Sequence, residues 1–281
     1  MTEFRPGRFE ILPIIIKNLL IINGIFFLAQ VTFSRGAVPV FSFEDNFALH
    51  AWQSELFKPW QLITHMFLHS TSDYFHIIGN MFALWMFGSV LENVWGAKRF
   101  LTFYLICGLG AALMHLLFLS YELAPLIRDY NLVAQQKDDA VAFMDGLLSF
   151  GKKYQMNWYQ PELLNYIRTT PYNEQVAEQI LTSITSYYDG RLNTATVGAS
   201  GAVFGILAAF VYLFPNTYIY LYFLVPVKAK WLGIIYFGYE VFYAIQNSAG
   251  DNVARWAHIG GAIVGLLIVI TWNKTNRKTL Y

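Results

Sequence analysis

Six stretches of the chain consist mostly of apolar residues, and each is close to the length of a membrane-spanning helix. A helix that crosses the ~30 Å hydrocarbon core of a bilayer needs about 20 mostly apolar residues. The stretches lie at 12–33, 76–96, 100–119, 197–214, 231–247 and 256–272. The third contains no charged residue, whereas the first contains Lys17 and the fifth contains Glu240. The pattern predicts an all-α protein with six transmembrane helices.

The composition is that of an integral membrane protein. Charged residues form only 13% of the 281 residues, whereas soluble domains contain about 25%. Hydrophobic residues form 56%, and the net charge of +1 argues against a nucleic-acid partner. The single cysteine, Cys107, excludes an internal disulfide and a cysteine-based zinc site. We therefore expect the lipid bilayer to surround most of the chain.

A long polar segment, residues 120–195, separates the third and fourth apolar stretches. Its pattern predicts three amphipathic helices, near 137–153, 161–168 and 173–189. At roughly 75 residues without a disulfide, it is expected to depend on the rest of the chain for stability. We predict one domain, 1–281, with 120–195 as an extramembrane insertion on the outer face. A cap over the bundle mouth and a simple exposed insertion both remain open.

Basic residues are distributed unevenly between the two sides of the predicted bundle. Ten lie on the side of the termini: Arg5, Arg8, Lys17, Lys98, Arg99, Lys228, Lys230, Lys274, Arg277 and Lys278. The short connections on the other side contain three: Arg35, Lys58 and Arg255. This asymmetry predicts cytoplasmic termini. Without an evident transit peptide, we expect a bacterial inner (plasma) membrane. A cleaved signal peptide is the alternative to a retained first span, and Lys17 argues against it because it interrupts the apolar stretch.

Three polar side chains from distant parts of the chain are predicted to lie at one depth. His76 begins the second apolar stretch, while Ser200 and His258 follow the starts of the fourth and sixth by three and two residues. All three stretches run inward from the outer face, so a rise of ~1.5 Å per residue leaves these side chains in one layer. Ionisable groups within spans are costly and indicate function by default.

Small residues predict close packing between the fourth and sixth spans. They recur at every fourth position, at Gly201, Gly205, Ala257, Gly261 and Gly265. Such strips let membrane helices approach backbone to backbone. This packing would bring Ser200 within hydrogen-bond distance of His258.

A serine beside a histidine base can carry out nucleophilic hydrolysis. Ser200 would attack, and His258 would accept its proton. His76, Asn80 on the same helix face and the backbone amide of Ser200 could donate hydrogen bonds to the oxyanion. Glu240 is expected to lie much deeper, and no other carboxylate occurs at this level of the spans. The residues therefore predict a dyad.

Two other functional classes would also use polar side chains within or beside the spans. His65 and His69 could form a metal site with His76, but Met66 stands where a metalloprotease motif needs glutamate. Glu240 could mark an ion path of a transporter, although the sequence has no internal repeat. We expect neither a metal nor another cofactor.

The motifs resemble those of the rhomboid intramembrane serine proteases, in the same order along the chain. HIIGN at 76–80 resembles the family's His-x-x-x-Asn motif, and GASG at 198–201 resembles its Gly-x-Ser-Gly nucleophile motif. AHIGG at 257–261 resembles the histidine motif of the last span. The family often has an aromatic residue on the catalytic histidine, and Phe204 stands there. Trp60-Gln61 departs from the family's Trp-Arg pair.

The resemblance implies a rhomboid-like bundle that hydrolyses a peptide bond in or near the transmembrane segment of a membrane-anchored protein. It implies Ser200 and His258 as catalytic residues and His76, Asn80 and the Ser200 amide as oxyanion donors. The supporting residues would be Gly198, Gly201, Phe204 and Gly261. A catalytically inactive relative that binds transmembrane clients is the remaining alternative. The sequence does not indicate whether the protein is a monomer or an oligomer.

Overall fold

The computed structural model describes residues 9–34, 41–169, 172–221, 224–246 and 253–276. The first half of the chain contains α1 (Ile14–Ser34), α2 (Phe43–Phe47), α3 (Gln61–Thr64), a 3₁₀ turn (His65–Phe67), α4 (Tyr74–Ala83), a π-helical segment (Leu84–Gly88), α5 (Ser89–Trp95) and α6 (Ala97–Gln135). The second half contains α7 (Ala140–Lys153), α8 (Pro161–Thr169), α9 (Glu174–Leu192), α10 (Ser200–Leu213), α11 (Ala229–Gln246) and α12 (Arg255–Asn276). Strands β1 (Tyr218–Leu221) and β2 (Val225–Lys228) pair antiparallel between α10 and α11.

Each of the six predicted spans contains a helix within the described residues, so the all-α prediction is confirmed apart from the small β1–β2 sheet. Within the described ranges, four helices are long and apolar enough to cross a membrane: Ile14–Phe33, Tyr74–Trp95, Ala97–Gln135 and Arg255–Lys274. The fourth predicted span is the shorter apolar helix α10, of 14 residues. The fifth is α11, of 18 residues, which includes Lys230 and Glu240.

Glycines allow α10 and α12 to approach backbone to backbone. A Cβ atom added at Gly261 would overlap the carbonyl oxygen of Gly201, and one at Gly265 would lie 2.7 Å from the Cα of Gly205. On its other side, Gly201 faces Ala111 of α6, whose methyl group leaves no room for a side chain. The predicted packing of the fourth span on the sixth is therefore confirmed.

The carboxylate of Glu92 caps the N-terminus of α1. Glu92 is buried and accepts hydrogen bonds from the backbone amides of Ile15 and Ile16, each at 2.9 Å. The first amides of a helix lack intrahelical acceptors, and a negative charge there is favoured by the helix dipole. The side-chain amide of Asn93 also pairs in both directions with the backbone of Glu10. These contacts fix the start of α1 against the end of α5.

We expect Glu92→Ala to destabilise the protein by about 1–3 kcal/mol, because buried amide groups would lose their acceptor. The measurement is the thermal unfolding midpoint of the purified chain in detergent. Glu178→Ala is the matched control, since Glu178 is exposed on α9. Equal midpoints for the two variants would contradict the capping role.

The chain divides into two compact units. The first comprises Met1–His50, Leu56–Leu117 and Ala195–Tyr281, and the second comprises Ala51–Glu55 and Phe118–Thr194. Buried residues in the first unit include Leu84, Leu91, Phe100, Phe103 and Tyr104. The second unit has its own apolar core, which includes Leu123, Phe143, Leu147, Phe150 and Ile184.

The second unit corresponds closely to the predicted insertion. Its three amphipathic helices are present as α7, α8 and α9. The side chains of Asp139 and Asn173 cap α7 and α9 by accepting hydrogen bonds from first-turn amides. The prediction of one domain with an extramembrane insertion on the outer face stays a prediction.

Candidate active site

A fixed backbone segment leads to Ser200, the first residue of α10. Gly198 has φ of +134°, a conformation that L side chains rarely adopt, so glycine is required there. Its amide donates to the carbonyl oxygen of His65 at 2.9 Å. Two residues earlier, Thr196 exchanges backbone hydrogen bonds with Leu49 in both directions. These bonds hold the entry to α10 in place.

Ser200 and His258 are within hydrogen-bond distance of each other. The distance between Ser200 Oγ and His258 Nε2 is 2.8 Å. His258 is the fourth residue of α12, so the close packing of α10 on α12 places the two side chains side by side. Phe204, one turn after Ser200, stacks on the imidazole with ring centroids 4.2 Å apart and planes 9° apart. The proximity of Ser200 and His258 was expected from helix packing, and the position of Phe204 was expected from the family resemblance.

A carboxylate lies on the other side of the same imidazole. Glu240 Oε2 is 3.0 Å from His258 Nδ1 and also accepts from Arg255 Nη1 at 3.3 Å. Because a carboxylate only accepts hydrogen bonds, Nδ1 carries the hydrogen. The lone pair of Nε2 then faces the hydroxyl group of Ser200.

The prediction that no carboxylate lies at the level of Ser200 is wrong. Glu240 is six residues before the last residue of α11, about 9 Å along the helix axis. A depth counted along the backbone leaves out the length of the side chain. The long glutamate side chain bridges the difference by extending to the first turn of α12, where Arg255 and His258 lie.

His76 flanks the same region from α4. A Cβ atom at Gly198 would lie 3.0 Å from His76 Nε2 and 3.4 Å from Ser200 Oγ. Both side chains therefore face the space beside Gly198. Nδ1 of His76 accepts a hydrogen bond from the backbone amide of Ser70 at 3.3 Å. Nε2 of a neutral ring therefore carries the hydrogen and can donate into the space beside Gly198.

Asn80 lies one turn after His76 on the same helix and is buried. Its side-chain nitrogen donates to the carbonyl oxygen of His76 at 2.8 Å. An amide group has two N–H bonds, so this contact uses one of them. Of the two predicted side-chain donors, the structure brings His76 next to Ser200, whereas the hydrogen bond of Asn80 is made within its own helix.

Gln61, which replaces the arginine of the related motif, anchors the loop between α2 and α3. It is fully buried. Its side-chain oxygen accepts from the backbone amides of Lys58 and His50, at 3.1 and 3.4 Å. Its nitrogen donates to the carbonyl oxygens of Leu56 and Asp45, at 2.9 and 3.1 Å. An amide thus fixes this loop through four backbone contacts.

The histidines of the alternative metal site support the loop structure. His65 Nδ1 donates to the carbonyl oxygen of Gln61 at 2.7 Å, and burial lowers the pKa of His65 to about 4. The backbone of His69 is bound at both its amide and its carbonyl by the side chain of Gln30. In the ranges that the structure describes, no three His, Cys, Asp or Glu side chains are grouped to hold a metal ion.

A family comparison agrees with this geometry. The Rhomboid domain matches residues 56–126 and 175–274, together more than half of the chain. The chain belongs to the rhomboid family. This confirms the family that the motifs predicted and, with the helices described above, the prediction of an all-α rhomboid-like membrane protein. All the residues of the site lie in the first unit. Membership of the family supports an intramembrane protease-like fold.

Three curated relatives of this rhomboid chain are named as mitochondrial. RHOMBOID-like protein 12, mitochondrial, of Arabidopsis thaliana is 24% identical over 77% of this chain and 46% of its own length. An uncharacterized mitochondrial rhomboid protein of Schizosaccharomyces pombe is 25% identical over 98% of this chain and 69% of its own. Rhomboid protein 1, mitochondrial, of Saccharomyces cerevisiae is 22% identical over 70% and 38%, respectively. The chain thus spans less than half the length of two of these relatives.

The prediction of a bacterial inner membrane with cytoplasmic termini is wrong. The relatives are mitochondrial proteins of a plant and two yeasts. The choice of membrane rested on the lack of an evident transit peptide, which does not identify the membrane. The asymmetry of basic residues distinguishes only the two sides of a membrane. Part of that charge count, namely Arg5, Arg8, Arg35, Arg277 and Lys278, lies outside the described residues.

Proposed function

We propose that this rhomboid protein is an intramembrane serine endopeptidase in which Ser200 is the nucleophile and His258 its base. The observation that carries the proposal is the 2.8 Å distance between Ser200 Oγ and His258 Nε2. As Oγ attacks the carbonyl carbon of the peptide bond, Nε2 takes the hydroxyl proton and then gives it to the departing amine. Water activated by the same histidine hydrolyses the resulting ester and frees Ser200.

The oxyanion of the tetrahedral intermediate would lie beside Gly198. Three donors support this position: the Nε2 hydrogen of His76, the second N–H of Asn80 and the backbone amide of Ser200. The amide of Ser200 is at the N-terminus of α10, where unpaired N–H groups and the helix dipole favour negative charge.

The substrate class that we propose is a protein segment that spans the membrane. Ser200 and His258 are both near the N-terminal ends of apolar helices, so the site lies near one end of the bundle, where water is accessible. A peptide carbonyl inside a regular helix is already hydrogen-bonded, and the substrate must unwind locally before Ser200 can attack it. We therefore expect cleavage near helix-destabilising residues. Because the relatives are mitochondrial, we also propose that the protein acts in a mitochondrial membrane.

The test is cleavage of a single-pass transmembrane peptide with a central glycine-proline pair, co-reconstituted with the full chain in phospholipid vesicles. Wild type is expected to release two fragments, and Ser200→Ala none. Cleavage by Ser200→Ala at the wild-type rate would contradict the proposal. Binding of the peptide by wild type without cleavage would instead favour an inactive, client-binding rhomboid protein.

His76→Ala is expected to lower kcat by about 10²–10³-fold, the usual cost of losing one oxyanion donor. KM should change little, because the donor acts on charge that develops only in the transition state. Asn80→Ala should have a smaller effect in the same direction, since its side chain also bonds within α4. Steady-state kinetics on the reconstituted peptide separate the two constants. A raised KM with unchanged kcat would show that these residues only bind substrate.

A further inference from the structure

Glu240 is a buried acidic side chain on an otherwise apolar stretch of α11. Only 4% of it is exposed. Burial of a carboxylate is unfavourable unless the charge is paired and hydrogen-bonded. Both of its hydrogen bonds are made by one oxygen, Oε2, which lies 3.0 Å from His258 Nδ1 and 3.3 Å from Arg255 Nη1. The charge is therefore held against the histidine that faces Ser200.

Arg255 is itself held in place around this carboxylate. Its guanidinium lies over the rings of Tyr239 and Tyr243, 5.4 and 5.0 Å from their centroids. These tyrosines are on α11, beside Glu240 in the sequence and one turn after it. Cation–π contacts and the ion pair together restrict the guanidinium, and the guanidinium in turn fixes Oε2.

Phe204 and Glu240 restrict different motions of His258. Stacking on Phe204 fixes the plane of the imidazole. A half-turn about the Cβ–Cγ bond would preserve that stacking while exchanging the nitrogen and carbon positions of the ring. Only a directional hydrogen bond distinguishes the two orientations, and the bond from Nδ1 to Glu240 provides it. The same bond keeps the hydrogen on Nδ1 and leaves Nε2 free to accept a proton.

We infer that Glu240 is a positioning residue that completes a hydrogen-bonded triad, Ser200–His258–Glu240. The inference deepens the proposed function and rests on it, and it replaces the dyad that the sequence predicted. In the attack step the proton of Ser200 Oγ moves to His258 Nε2, while the hydrogen on Nδ1 stays there. Glu240 remains a carboxylate and stabilises the imidazolium until its Nε2 proton passes to the leaving amine.

The first test compares Glu240→Gln with wild type, using the full chain in vesicles and the transmembrane peptide. A glutamine oxygen can accept from both His258 and Arg255, so this change removes the charge with little change in shape. We expect kcat to fall by about 10²–10⁴-fold while KM is unchanged. Glu178→Gln, on the exposed face of α9, is the matched control and should equal wild type.

A double-mutant cycle separates positioning from a general structural role. The rate at which a fluorophosphonate modifies Ser200 is measured for wild type, Glu240→Gln, His258→Ala and the double variant. If Glu240 acts through His258, its replacement slows modification in wild type and has no further effect beside His258→Ala. An equal loss in both backgrounds, or a Glu240→Gln variant with wild-type kcat, would overturn the inference.

Glu240→Asp keeps the test decisive if the glutamine variant does not fold. Aspartate retains the charge beside Arg255 but is one methylene shorter, so we expect a lowered kcat at unchanged KM. A kcat equal to that of wild type would overturn the inference, because the shortened carboxylate does not span the observed distance. Failure of the wild-type chain to cleave or to react would defeat the proposed function itself, and is thus distinguishable from failure of the role of Glu240.

Discussion

Ser200→Ala and His258→Ala are each expected to remove proteolysis, and the double variant is expected to lose no more than either single one. The two side chains act as a unit, because Oγ is a poor nucleophile without a base, and without Oγ the histidine has no hydroxyl group to activate for the first step. Residues that act as such a unit lose on the order of 10⁶-fold in kcat when either is removed, and the losses do not add. Fragment release from the reconstituted peptide over long incubations measures all four proteins.

Two controls distinguish a loss of chemistry from a loss of folded protein. Ser186→Ala changes an exposed serine on α9 and should leave kcat unchanged. The unfolding midpoint of Ser200→Ala should be close to that of wild type, because the change removes one hydrogen bond, worth about 1 kcal/mol. His258→Ala should unfold at a lower midpoint, because it also removes the hydrogen bond to buried Glu240 and the stacking on Phe204. Cleavage is therefore compared at a temperature at which every variant is folded. If the two side chains acted independently, the fold losses of kcat in the single variants would multiply in the double variant. That result would contradict a shared step.

Gly261→Ala is expected to destabilise the bundle by about 3 kcal/mol or more, the upper end for overpacked cores. The added methyl group would overlap the carbonyl oxygen of Gly201. Its three nearest neighbours are all backbone atoms of Gly201, so no side chain can rotate away to make room. The helices α10 and α12 would have to separate. Since these helices hold Ser200 and His258, activity should be lost together with stability.

Gly24→Ala is the matched control for this prediction, because no heavy atom lies within 4 Å of a Cβ at that position in α1. Alanine is the better helix former, by about 1 kcal/mol, so this variant should be as stable as wild type or slightly more stable. The comparison uses unfolding midpoints in detergent together with peptide cleavage. A Gly261→Ala protein that unfolds with the wild-type midpoint would contradict the backbone-to-backbone packing.

Much of the fold was predictable because the membrane imposes a simple pattern on the sequence. Long apolar stretches are recognisable without any knowledge of tertiary contacts, and all six became helices. The insertion helices were also predictable, since amphipathic periodicity and capping residues such as Asp139 and Asn173 are local signals. The β1–β2 sheet was missed because it consists of two four-residue strands beside long apolar stretches.

The site was predictable where topology alone determines it. Ser200 and His258 each lie at the start of a helix that enters from the same side, and glycines indicate that these helices touch. Glu240 was missed because the reach of its side chain between two helices is a tertiary property. One signal was available in the sequence, namely that a lone carboxylate in an apolar span needs a cationic or hydrogen-bonding partner. The anchoring role of Gln61 similarly depends on backbone groups that only the folded loop brings together.

Mapping a covalent adduct tests whether Ser200 is the nucleophile of this rhomboid protein. The purified full chain is treated with a fluorophosphonate, which reacts with activated serine hydroxyls, and its peptides are analysed by mass spectrometry. We expect one phosphonylated residue, Ser200, with modification abolished in Ser200→Ala and strongly slowed in His258→Ala. Modification of another serine, or full cleavage of the peptide by a protein that has reacted with the fluorophosphonate, would contradict the role of Ser200 as the nucleophile.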